Sequence, residues 1–94
     1  MLVFVPIGKM SQTIDVSTPA ELGAALRAAR RARGLRLEDA ALGAGVGVRF
    51  LSELERGKPT ARLAETLRAV ASLGLRLVIE DPEDIANSGS RPRA

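Results

Sequence analysis

The chain has 94 residues, a formal net charge of +3 at neutral pH and a sequence pI of about 10.6, and it contains neither cysteine nor histidine. That length fits one small domain with short extensions, which buries little surface alone and gains stability most readily from a second copy. Without Cys and His there is no disulfide, no ordinary zinc site and no usual nucleophile–base pair, so we expect no metal, no cofactor and no enzyme.

Residues 1–17 read as an extension, with strand character around residues 13–16. The opening MLVFVPIG is apolar, but it lacks a basic leader and is short for a signal peptide. Met10 is an alternative start, on which reading residues 1–9 fall outside the protein. No apolar run can span a bilayer. The expected location is the bacterial cytoplasm, in association with the nucleoid, with no membrane contact.

Thr18-Pro19-Ala20-Glu21 starts the first helix sharply. Thr18 is a good N-cap, Pro19 fits the first turn, and Glu21 completes a capping box. The helix is predicted to run to about Arg33, with Leu22, Ala25, Leu26, Ala29 and Ala32 as its apolar stripe and Gly34 as its stop. A second helix is predicted over 37–44 and a third over 48–56, joined by a turn at Gly45. Gly57 ends the third. Lys58-Pro59 makes a loop and Thr60 is expected to cap a fourth helix, whose inner face we read as Leu63, Leu67, Val70 and Ala71. Gly74 ends it.

After Gly74 the period changes to two: Leu75, Leu77 and Ile79 alternate with Arg76, Val78 and Glu80. A lone strand leaves its backbone groups unpaired, and no second strong strand stands out, so the expected partner is another copy across a two-fold axis. Leu75, Leu77, Val78 and Ile79 are then dimerisation residues. The domain plan is an extension (1–17), a helical domain (18–74), a dimerisation strand (75–81) and a flexible tail (82–94), disordered from Asp84 onward.

Residues 34–75 carry the functional signal. Leu37, Ala41, Val46, Leu51 and Leu54 fit the inner face of a helix-turn-helix, and the third helix begins directly after the turn. Such a helix enters a DNA major groove. Its groove-facing positions are Val48, Arg49, Phe50, Ser52 and Glu53. Arg49 suits guanine O6 and N7, Glu53 a cytosine amino group, and Val48 or Phe50 a thymine methyl. Two alternatives stay open: Arg49 and Glu53 are four apart and can pair with each other, and Phe50 can pack inward. Arg36, Ser52, Arg56, Lys58 and Arg62, which the resemblance given below places around the helix, are candidate phosphate contacts. Nearly all the positive charge is arginine, which suits phosphate, although the Ala, Gly and Arg bias also fits a GC-rich genome.

The stretch 27–74 resembles the Xre/Cro-type, lambda-repressor-like helix-turn-helix family. Arg30, Gly34-Leu35, Glu38, Ala41, Gly45-Val46, Leu51-Ser52, Glu55-Arg56-Gly57-Lys58 and Leu73-Gly74 carry the resemblance, and the ending LGLRLVIED resembles the HipB-type antitoxins. The resemblance implies an all-α bundle with a short C-terminal strand used in dimerisation. It also implies a structural ion pair between Arg30 and Glu55, as in phage repressors. The implied function is that of a homodimeric repressor that binds double-stranded operator DNA, autoregulates its operon and binds a HipA-like kinase toxin. The alternatives are an Xre-family regulator with no toxin and a protein-interaction adaptor that binds no DNA. Departures from the family pattern are Arg36 and Leu37 where Ser/Thr-Gln is common, Gly47 as a non-bonding cap, and Gly43 within the second helix.

Overall fold

The computed structural model describes residues 2–3 and 12–83. In chain order these form β1 (Leu2–Val3), β2 (Gln12–Thr13), α1 (Pro19–Ala32), α2 (Leu37–Ala44), α3 (Val48–Glu55), α4 (Leu63–Ser72) and β3 (Leu75–Arg76). The fold is an all-α, lambda-repressor-like bundle with a minimal sheet at one end. The flexible tail expected over 82–94 lies outside the described residues from position 84 onward.

Local chemistry sets the helix ends. The Glu21 amide donates to Thr18 Oγ1 at 3.1 Å, while Glu21 Oε1 accepts from the amides of Ser17 and Thr18 at 2.6 and 3.1 Å. The backbone donors that α1 leaves over at its start are thus satisfied reciprocally. Between α2 and α3 the chain turns at Gly45, whose φ of 73° lies in the left-handed region that side chains resist. The amides of Gly45 and Val46 close that turn on the carbonyls of Leu42 and Ala41.

The core comprises Ala25, Leu26 and Ala29 of α1, Ala40, Ala41 and Ala44 of α2, Leu51 and Leu54 of α3, Ala69 and Val70 of α4, and Leu73 and Leu75 beyond it. α1 packs on α3, and α2 packs on both α3 and α4. The α1–α3 approach is close enough to require a glycine. A Cβ built at Gly23 would lie 2.4 Å from the Leu54 carbonyl oxygen and 2.6 Å from that of Glu55.

Three sequence expectations need correction. α4 starts at Leu63 with Arg62 at its N-cap, not at Thr60. Its buried face is Thr66, Ala69 and Val70, while Leu63 and Leu67 are exposed. This face of α4 lies against α2, whose buried residues are Ala40, Ala41 and Ala44. Thr66 is acceptable there because its hydroxyl donates to the Arg62 carbonyl at 2.7 Å. At α1 the stripe stops at Ala29, and Ala32 is exposed.

The third correction concerns the ending. The strand spans Leu75–Arg76 only, and the chain does contain a partner for it. β1 pairs antiparallel with β3, Val3 opposite Leu75 and Leu2 opposite Arg76, and with β2 on its other side, giving the order β2-β1-β3. The apolar extension thus supplies the missing ladder. Leu75 is 3% exposed and belongs to the core of its own chain, whereas Leu77, Val78 and Ile79 are exposed. Leu75 packs into this core, with Ile14 and Val16 of the other segment against it.

Candidate nucleic-acid interface

α3 presents two different faces. Leu51 and Leu54 are buried, and half-buried Phe50 packs against the core. Gly47 caps the helix without a side-chain bond. On the outer side Val48 is exposed, the Arg49 side chain is 91% exposed, and Ser52 and Glu53 are half-buried. An arginine so free at the first turn of an outward-facing helix can reach a base edge and hold it through both nitrogens of its fork.

Beneath α3 its frame is fixed by a buried ion pair. Arg30 Nε lies 2.7 Å from Glu55 Oε2, and Arg30 Nη2 donates to Glu55 Oε1 at 3.0 Å. A third donor, Nη1, reaches the Leu35 carbonyl at 2.9 Å. One guanidinium thereby ties α1, the end of α3 and the loop before α2. The hydrogen bond to Glu55 holds the Arg30 guanidinium above its ordinary pKa, against the opposing effect of burial.

The cations around α3 fall into two groups. On one side, Arg49, Glu53, Lys58 and Arg62 line a cleft of about 320 Å³ with Phe50 as its apolar wall. On the other, Ser52 and Arg56 meet Arg27 at a notch of about 220 Å³ above the Arg30–Glu55 pair, with Leu37 at its rim. Neither Arg27 nor Arg56 makes a side-chain hydrogen bond or ion pair with a described residue. Arg27 was not among the contact residues expected from the sequence. Its signal was its place one turn before Arg30 on the same face of α1.

Two carboxylates that hold candidate cations, Asp39 and Glu65, were not singled out from the sequence. Arg36, at the N-cap of α2, pairs with Asp39, Nε to Oδ2 at 3.1 Å, and its amide donates to the same carboxylate. Arg62 Nη2 lies 3.0 Å from Glu65 Oε2. Glu53 serves two cations, with Arg49 Nε at 3.4 Å and Lys58 Nζ at 3.0 Å. The intrahelical Arg49–Glu53 pair is therefore present, and Lys58, expected on phosphate, also rests on Glu53. Hydrogen bonding from Lys58 holds the Glu53 carboxyl below its ordinary pKa, and bonding from Arg36 does the same for Asp39.

Among the described residues there is no cluster of acids able to hold a metal, and no helix is long and apolar enough to cross a membrane.

These features define a helix-turn-helix protein, and comparison with known proteins agrees. A family model described as helix-turn-helix matches residues 26–75. The chain belongs to the helix-turn-helix family of transcriptional regulators. It is 42% identical over 67 residues to an uncharacterised HTH-type transcriptional regulator, y4mF, of Sinorhizobium fredii, covering 71% of this chain and 88% of that one. It is 51% identical over 47 residues to the HTH-type transcriptional regulator DdrOP3 of Deinococcus deserti, but spans 36% of that protein and 50% of its own length. Two similar solved structures are a HipB–O4 20mer complex and a HipA–HipB–O2–O3 complex. Each has a TM-score of 0.68 and 20% identity, and covers 74% of this chain and 99% of the other. At that identity the likeness is one of fold.

Proposed function

We propose that this chain is a sequence-specific, DNA-binding repressor. α3 enters the major groove, Arg49 reads a guanine, Glu53 accepts from a cytosine amino group, and Val48 with the edge of Phe50 meets thymine methyls. Arg36, Ser52, Arg56, Lys58 and Arg62 hold phosphates, and the notch adds Arg27 to that set. The observation that carries this reading is the exposed Arg49 on α3 with cations on both flanks of the helix.

The repressor acts as a homodimer. Among the described strands β3 is an outer one, and its other edge pairs with a second copy. Leu77, Val78 and Ile79 beyond it are exposed and apolar. Two copies joined there would place their α3 helices in successive major grooves, roughly 34–36 Å apart. The finer role is that of a HipB-like antitoxin that represses its own operon and binds a HipA-like kinase toxin. Its support is the fold shared with HipB, including the complex that contains HipA. The runner-up is a family regulator without a toxin.

Selection of duplexes from a randomised pool, followed by affinity measurement across salt concentrations, tests DNA reading. One recurring two-fold motif with steeply salt-dependent binding is expected. Absence of any enriched sequence would leave the adaptor reading. Co-purification with the kinase-like product of an adjacent gene decides the antitoxin role.

A further inference from the structure

Four of the six cations assigned to DNA contact are already held by carboxylates of the same chain: Arg36 by Asp39, Arg49 and Lys58 by Glu53, and Arg62 by Glu65. Exposed pairs exchange for phosphate at little cost, because each contributes little. Glu53 differs in that it serves two cations, one from α3 and one from the loop after it, with its side chain 26% exposed. When Lys58 moves to a phosphate and Arg49 to a base, the carboxylate stays at the cleft. It then faces the DNA with its acceptors unpaired and with a charge of the same sign as the phosphates.

We infer that Glu53 is the specificity-determining residue of this interface through repulsion, withholding Arg49 and Lys58 from the phosphates of arbitrary DNA. It releases them at low cost only where a base amino donor takes their place on its carboxylate. A buried or half-buried acceptor left without a partner is costly, and rejection of wrong partners commonly uses such an element. The net charge of +3 is otherwise free to favour any duplex. This inference rests on the DNA-binding reading above and adds the way in which the same site avoids non-specific DNA.

The test compares the full chain with Glu53→Gln and Glu80→Gln. Glu80 is exposed beyond β3, and its replacement makes the same change in net charge away from α3. The probes are a short mixed-sequence duplex and the duplex selected by the unmodified chain, with folding checked by circular dichroism. Glu53→Gln is expected to bind the mixed-sequence duplex about two- to fivefold more tightly. Its preference for the selected duplex should fall by at least that factor, while Glu80→Gln changes neither. Equal tightening by both variants, or unchanged mixed-sequence affinity in Glu53→Gln, overturns the gate and leaves DNA binding standing. If the unmodified chain binds neither duplex, the DNA reading itself fails and the gate with it.

Discussion

Arg30 and Glu55 lie 25 positions apart in sequence and meet through two parallel contacts, 2.7 and 3.0 Å, with their side chains 11% and 6% exposed. Removing one partner leaves an uncompensated buried charge. Glu55→Ala is therefore expected to destabilise the domain by about 3–5 kcal/mol in chemical denaturation. Arg30→Lys should restore little, because a lysine lacks the fork that reaches both carboxylate oxygens and the Leu35 carbonyl. A loss below about 1 kcal/mol for Glu55→Ala would show that the pair contributes nothing beyond a surface contact.

Gly23 predicts a second large effect at a position with no side chain. Its hypothetical Cβ meets backbone oxygens at 2.4 and 2.6 Å, and backbone cannot rotate away as a side chain can. Gly23→Ala should force α1 and α3 apart and cost about 1–3 kcal/mol, despite alanine's better helix propensity. Gly43→Ala is the control, since nothing lies within 4 Å of its Cβ and the site is exposed. That change should stabilise the domain by about 0.5–1 kcal/mol.

The Glu53 carboxyl is held below the ordinary glutamate value of 4.5, first by the Lys58 hydrogen bond and then by Arg49. A depressed folded-state pKa contributes stability that is complete above the unfolded value and is lost as pH falls through the folded value. NMR titration of the carboxyl should therefore find a midpoint below 4.5, and Lys58→Ala should move it upward. A midpoint unchanged by Lys58→Ala would dissolve the pair in solution.

Base and phosphate contacts differ in what their loss does. Arg49→Ala should weaken the selected duplex by about 1–3 kcal/mol and relax preference at one position. Arg56→Ala should weaken all duplexes alike and lower the salt slope by about one unit. If Arg49→Ala kept full sequence preference in a competition assay, its side chain would belong to Glu53 alone.

A chain beginning at Met10 lacks β1. Hydrogen exchange at Leu75 and Arg76 is then expected to lose protection, while α1–α4 stays protected because most of the core precedes β3. Sedimentation of the same chain reports whether two copies still pair through β3. Undiminished protection at Leu75 would mean that β1 contributes no ladder.

The boundaries of α1 to α3 were legible because they depend on residues within a few positions of one another. Thr18 and Glu21 define a capping box by spacing alone, and Gly45 marks a left-handed turn because few other residues tolerate it. Ala25, Leu26 and Ala29 followed from a 3.6-residue period, Ala41, Leu51 and Leu54 from the helix-turn-helix pattern, and the Arg30–Glu55 pair from the resemblance. What the sequence could not decide depends on which distant surfaces meet. Leucines at 63 and 67 suit an inner face as well as Thr66 and Ala69 do, and only the packing of α4 on α2 turned Thr66, Ala69 and Val70 inward. Glu53 read as a base contact or as a partner of Arg49, and only the fold of the loop after α3 set it against Lys58 as well. The strand at Leu75 called for a partner, and period two says nothing of where that partner lies. Only the tertiary structure brought Leu2–Val3 across the whole chain to meet it, because strand pairing is a contact between backbones that carry no address in the local pattern.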